Sequence, residues 1–343
     1  MARKMQVAEL ELVPAGTPGA QKVAVLNAPR DISVHYARIP EPGVDEVRVR
    51  ITWVGICGSD LEAYRGTRSP EFLTTPVRLG HEVGGVIDRV GANVVGLKEG
   101  DRVACRYIWG AFAQYIVCSP FNVKVLPDAF PLDEISPIEV LPGILHAAEL
   151  GGIDQTKNVL IMGQGVSGLI LTQVIGLYSP RRLAVTDLHE KKLALAARYG
   201  ATHAYRLPGP ETPTMRVVGK DFPDGFDTVI PCLLEGDGMV DAIDCCAMCG
   251  RIVAYGCIGV CHKLLDFFKA HRRRLSILMT EPRRDVDMRR FFQEGVQMVL
   301  DGLVNTREFV THRFTLDEIG EAFRLRDAGG PDTIHVLVNC EER

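Results

Sequence analysis

The stretch KNVLIMGQGVSGLILTQVIGLYS, Lys157–Ser179, decides the fold. It begins with a compact apolar run of strand length and continues, from Val166, with apolar residues at the length and periodicity of a buried helix. Between the two stands Gly163-Gln164-Gly165-Val166-Ser167-Gly168, a G-x-G-x-x-G. The motif alone is weak, because glycines occur in any turn, but here it closes a strand and opens a helix. In that setting the first glycine permits the tight turn and the second lets a pyrophosphate approach the main chain. The third lets helix and strand pack closely. The helix N-terminus then offers unpaired N–H groups and its positive dipole end to phosphates. Gly163, Gly165, Val166 and Gly168 are therefore expected to hold a dinucleotide.

Outward from this point the pattern repeats. A second strand, RRLAVTD, ends at Asp187, 19 residues beyond Gly168, where a ribose-binding acid is expected. Its carboxylate would accept from both ribose hydroxyls and repel a 2′-phosphate, which predicts NAD rather than NADP. The alternative role is an N-cap for the helix HEKKLALAARYG. Then follow a short strand around THAYRL, a strand FDTVIPCLL, a helix GMVDAIDCCAMCG, a strand RIVAYGCIG and a last strand LSILMT. Repeated strand–helix alternation with apolar strands predicts a parallel sheet covered on both faces. After Pro282 a helix, DMRRFFQEGVQMVLDGLV, leads to THRFTLDEIGEAFRLRDAG and a final strand TIHVLVNC.

The chain before about Leu150 reads differently. From Lys22 to about Phe121 short β-rich segments are broken by glycine and proline. Two polar knots stand out there, VGICGSDLEAYRG from Val54 and RLGHEVGGV from Arg78, with 23 residues between Cys57 and His81. If these two meet they could hold a metal; if not, they are a buried thiol and a surface imidazole. Spacing alone leaves both open.

A chain of 343 residues, 46% hydrophobic and 24% charged, fits an ordinary two-domain globular protein. Its net charge of −4 and pI near 6.2 argue against a nucleic-acid partner. The basic run His271–Arg274 fits a solvated face or a cofactor-phosphate contact. No run approaches the length of a membrane span, and the N-terminus has no apolar core of signal-peptide length. The expected compartment is cytoplasmic, with the ten cysteines reduced.

The motifs GICGSDLEAY, GHEVGGVIDRVG, GDRV, GAFAQY, IEVLPGILHAAELGG, VLIMGQGVSG, GRIVAYG and THRFTLDEIGEAF occur in that order from about residue 22 to the C-terminus. In them the sequence resembles the medium-chain, zinc-dependent alcohol and polyol dehydrogenases, especially the sorbitol-dehydrogenase-like branch. The resemblance implies an α/β fold: a Rossmann doubly wound parallel sheet domain plus a mostly β, GroES-like catalytic domain. The expected division is a flexible leader over 1–20, the catalytic domain over 21–150, the NAD domain over 151–281 and a return to the catalytic domain over 282–343. By the same resemblance Cys57 and His81 match catalytic zinc ligands, and Glu139 or Glu82 matches the carboxylate ligand. Ser59 matches the hydroxyl that relays the substrate proton, and Asp60 an acceptor that orients His81. The implied cofactors are NAD and one catalytic zinc per chain. The implied partners are a small alcohol substrate and further copies in a homodimer or homotetramer.

Two departures matter. Glu62 stands where relatives usually carry a proton-relaying histidine. The lobe with four cysteines for a structural zinc, between GDRV and GAFAQY, is absent, leaving only Cys105. The cysteines at 245, 246, 249, 257 and 261 include a C-x-x-C, but their strand–helix setting predicts core thiols rather than a metal site. Competing functional readings are a zinc-free quinone or enone reductase of the same fold, and a non-catalytic NAD-binding protein.

Overall fold

The computed structural model describes residues 12–68, 73–134, 136–234, 236–256, 259–280 and 285–341. Along them run β1 (Ala20–Ala28), β2 (Asp31–Arg38), β3 (Val47–Gly55), α1 (Gly58–Arg65), β4 (Glu82–Val90), β5 (Arg102–Cys105), β6 (Tyr115–Cys118) and β7 (Val123–Val125). The chain continues through α2 (Leu141–Gly151), β8 (Asn158–Met162), α3 (Val166–Leu177), β9 (Arg182–Asp187), α4 (Glu190–Arg198), β10 (His203–Arg206) and α5 (Thr214–Val218). Then come β11 (Phe226–Pro231), α6 (Gly238–Cys245), β12 (Cys246–Ala254), α7 (Phe267–Arg272), β13 (Ser276–Met279), α8 (Asp285–Leu300), β14 (Val310–Thr315), α9 (Ile319–Ala328) and β15 (His335–Asn339). The chain divides into two compact units. The first is Met1–Glu139 with Thr306–Gly329 and His335–Arg343; the second is Val140–Asn305 with Gly330–Ile334.

In the second unit the strands form one sheet in the order β10-β9-β8-β11-β12-β13, all parallel. Counted along the chain within that sheet the order is 3-2-1-4-5-6, the doubly wound dinucleotide-binding arrangement, with its reversal between β8 and β11. Burial explains the strand composition: Val159, Leu160 and Ile161 are each 0% exposed. Such side chains contribute about 1.5–3 kcal/mol each when buried. The expected parallel sheet and Rossmann order are both present.

In the first unit the strands order as β14-β15-β3-β4-β5-β7, with β6 also paired to β3. β3 and β4 run antiparallel, with Gly55 opposite Glu82. β15 joins β3 on its other side, with Leu337 opposite Gly55. β1 and β2 form a separate antiparallel hairpin.

Several local expectations change. The segment expected to be a loose leader is tied from Leu12 onward: Leu12 bridges Ala37, and Val13 N donates to Tyr36 O at 2.9 Å. Residues 1–11 lie outside the described residues, as does Cys257. Helix α8 belongs with the second unit, and the chain rejoins the first only at Thr306. Helix α6 stops at Cys245, not at Cys249, and β12 begins with Cys246 in an extended conformation. Arg273 Nη1 donates to the carbonyls of Ile243, Asp244 and Cys246, which terminates the helix there. One member of the basic run is thus a helix cap. No helix among the described residues is long and apolar enough to cross a membrane.

Candidate active site and metal centre

The register of β3 and β4 answers whether Cys57 and His81 meet. Gly55 faces Glu82, so Cys57, two residues past β3, and His81, one residue before β4, leave the sheet side by side. Asp60, 0% exposed, fastens the two exits together. Its Oδ2 accepts from Cys57 N at 3.0 Å and its Oδ1 from Gly80 N at 3.1 Å. The same carboxylate lies 3.5 Å from His81 Nδ1. Ligand-type atoms of Cys57, His81 and Glu82 consequently all fall within 4.8 Å of one another. Among the described residues no other group of three such donors forms.

Thiolate, imidazole and carboxylate are donors that suit zinc, and three protein ligands leave a fourth position open for a substrate. The residues present therefore fit the metal. Burial raises the Cys57 thiol pKa and Glu82 adds to it, against the opposing pull of His81. Burial disfavours the His81 cation, but Asp60 and Cys57 outweigh it and its pKa lies well above the usual value. Both protons compete with a metal, so affinity for it should climb with pH.

Sequence reasoning missed His335. The first residue of β15 places Nε2 3.1 Å from Glu82 Oε2, with both side chains almost fully buried. Burial alone would raise the Glu82 pKa, yet His335 and His81 bring it below the usual value. No local signal marks His335, because its proximity to Glu82 is set by strand pairing. Trp109, on the short loop where the cysteine lobe is missing, packs on the His81 ring at 4.3 Å between centroids. Cys105, the last residue of β5 before that loop, and Cys118, the last residue of β6 after it, are both buried thiols.

Glu139 does not share the cluster. Arg106 Nε lies 3.4 Å from its Oε1 and donates to its carbonyl at 2.9 Å. Burial raises the Glu139 pKa against the pull of Arg106 and His81. Glu82→Gln should therefore weaken metal affinity by more than about tenfold, and Glu139→Gln by less than about threefold. A competition titration against a chromophoric chelator measures both; equal losses would reverse the assignment. Ser59 Oγ stands 3.3 Å from His81 Nε2. Glu62 is buried on α1, its carboxylate 3.6 Å from Arg68 Nη1.

In the second unit Gly163 has φ +91°, and its N–H donates to Thr186 O at 2.8 Å. A Cβ on Gly168 would sit 1.9 Å from Gly163 O, so only glycine fits. A Cβ on Gly165 would meet nothing within 4 Å, which leaves room for a ligand. Gly165 is the N-cap of α3 and provides no side-chain cap; Val166 opens the helix. Asp187 plays a double part. Oδ2 accepts from Gln164 N at 2.8 Å and Oδ1 from His189 N at 2.9 Å, so it ties down the glycine loop and starts the turn into α4. Each oxygen retains a lone pair for a ribose hydroxyl. Of the cysteines outside the metal centre, Cys245 and Cys246 are buried, while Cys249 is exposed.

Residues 43–128 match the alcohol dehydrogenase GroES-like domain. Galactitol 1-phosphate 5-dehydrogenase of Escherichia coli K12 is 30% identical over 68% of this chain and 75% of its own length. Sorbitol dehydrogenase of Gallus gallus is 26% identical over 94% of this chain and 97% of its own length. Among solved structures, galactitol-1-phosphate dehydrogenase from Escherichia coli superposes with a TM-score of 0.76 at 25% identity, over 93% of this chain and 99% of that one. A Rossmann unit joined to a unit carrying a Cys–His–Glu cluster, its imidazole and carboxylate buried and its thiol half-buried, defines a dinucleotide-dependent oxidoreductase. The chain belongs to the medium-chain, zinc-dependent alcohol and polyol dehydrogenase family.

Proposed function

We propose that this enzyme oxidises a secondary alcohol, a polyol or a cyclic sugar-like alcohol, passing the hydride to NAD rather than NADP. The observation that carries the reading is the thiol, imidazole and carboxylate of Cys57, His81 and Glu82 within 4.8 Å of one another. When bound there, zinc supplies Lewis acidity that lowers the pKa of an alcohol oxygen. Asp60 holds His81 in the orientation that keeps Nε2 on the side of Ser59. The Ser59 hydroxyl accepts the substrate proton through one lone pair while passing its own onward. The buried Glu62, on the same helix, is a second proton carrier. The main-chain N–H groups at Gly165 and Val166 receive the cofactor phosphates, and Asp187 the adenosine ribose.

The test combines metal analysis with NADH formation across a panel of secondary alcohols, polyols and cyclic sugar alcohols. One tightly held zinc per chain and NADH from at least one substrate class are expected. Full activity after chelation would favour the zinc-free reductase reading, and no turnover with bound NADH a non-catalytic role. NAD should be preferred over NADP by at least about tenfold, ~1.4 kcal/mol, because Asp187 opposes a 2′-phosphate. Asp187→Ala should narrow that gap; equal kcat/KM for the two cofactors in the unaltered enzyme would sink it.

A cytoplasmic setting accords with the free thiols. Self-association into a dimer or tetramer is supported by the outer edge of β13 and the exposed Leu264, Phe267 and Phe268. Sedimentation of a monomer alone at micromolar concentration would contradict it.

A further inference from the structure

Gln164 and Thr172 are both 0% exposed, although each carries a polar side chain. Gln164 is an x position of the glycine motif, where the glycines set the backbone and no particular side chain is called for. Thr172 lies in the middle of α3, a helix whose buried residues are mostly apolar. The Gln164 amide is used at both ends. Its Nε2 donates to Gly163 O at 3.1 Å, and its Oε1 accepts from Thr172 Oγ1 at 2.9 Å. The Thr172 hydroxyl also lies 2.8 Å from Gly168 O, so its one hydrogen is shared between Gln164 and the first turn of α3. Through its main chain Gln164 donates to Asp187 Oδ2 at 2.8 Å.

A buried amide is costly unless its donor and its acceptor are both satisfied. Here the partners that satisfy it all belong to one strand-to-helix turn and to the helix that follows. Gly163, at φ +91°, has the conformational freedom of glycine, so the peptide group after it stays fixed only if something holds it. That peptide group is held at both ends: the side chain of Gln164 takes its carbonyl, and Asp187 takes its N–H. A turn fixed beforehand loses less freedom on binding, which raises affinity without any new contact to the ligand.

We propose that Gln164 is a positioning residue for the dinucleotide. Its side chain, held by Thr172, fixes the Gly163–Gln164 peptide group and so sets the glycine turn and Asp187 before the cofactor arrives. Being fully buried, the side chain offers the dinucleotide no surface and acts only through the turn and Asp187. The inference rests on the function proposed above.

The experiment uses the full-length protein, unaltered and as Gln164→Met, Thr172→Val, the two combined, and Thr172→Ser. NADH affinity is read by fluorescence, at a temperature where circular dichroism shows every variant folded. Amide hydrogen exchange over residues 163–168 is read without cofactor. Gln164→Met and Thr172→Val should each weaken NADH by at least about tenfold and speed exchange in the turn. The double variant should bind no more weakly than Gln164→Met alone, because both substitutions break one connection. Thr172→Ser keeps the hydroxyl and should recover most of the affinity that Thr172→Val loses, which a purely structural role for the threonine methyl would not produce. A loss below about tenfold in both single variants overturns the proposal whatever their melting temperatures, as do losses that multiply in the double variant. Should Gln164→Met fail to fold, Thr172→Val and Thr172→Ser decide, and equal NADH affinity in the two overturns it. The exchange comparison needs no cofactor: unchanged exchange in every variant overturns the proposal, whereas an unaltered protein that binds no NADH sinks the cofactor reading instead.

Discussion

His81→Ala is expected to abolish alcohol oxidation, lowering kcat/KM by at least about a thousandfold, ~4 kcal/mol of barrier. The ring is one of three donors in a site where two do not hold a divalent cation firmly, so zinc should be lost with it. Cys57→Ala should behave alike. Ser59→Ala supplies the contrast: its hydroxyl lies beside the ligand set, 3.3 Å from His81 Nε2, and outside it. Zinc should remain stoichiometric in that variant, while kcat falls by about a hundredfold, as for loss of a proton carrier. Elemental analysis of each purified variant, beside its turnover, checks the division. An active His81→Ala enzyme, or a Ser59→Ala enzyme without zinc, would show that these roles are misassigned.

Gly168→Val should damage the second unit itself. The new Cβ would fall 1.9 Å from Gly163 O and 2.9 Å from Gly163 C, both main-chain atoms of the tight turn. Strand and helix must separate, at about 1–3 kcal/mol for overpacking of this kind. That corresponds to a drop of roughly 2–4 °C in melting temperature per kcal/mol. Dinucleotide affinity should fall with it, by at least about a hundredfold, since the turn that presents the N–H groups is displaced. Gly165→Ala separates stability from binding. Its Cβ meets nothing within 4 Å, so the melting temperature should hold while NADH binding weakens. If Gly165→Ala binds NADH as the unaltered protein does, the pyrophosphate does not approach at that glycine.

Much of the fold is legible because its signals are local. The apolar run Asn158–Met162, the glycines after it and the helical spacing from Val166 each lie within a few residues of what they specify. Asp187, at the end of the next strand, is readable for the same reason. Boundaries were harder where a distant group decides them. The end of α6 at Cys245 depends on Arg273, and the anchoring of Leu12 and Val13 depends on β2.

The metal centre divides the same way. Cys57, His81 and their glycine-rich settings could be recognised in the sequence through a family resemblance, but their meeting follows from Gly55 standing opposite Glu82 and from one buried carboxylate, Asp60, that grips both turns. His335 reaches Glu82 through the pairing of β15 with β3, and Arg106 takes Glu139 aside. Residues brought together by strand register or helix packing leave no periodic trace near one another in the chain. The sequence by itself determined which elements form and which chemistry is on offer. Tertiary structure decided which carboxylate joins Cys57 and His81, because that choice depends on distances set by long-range pairing.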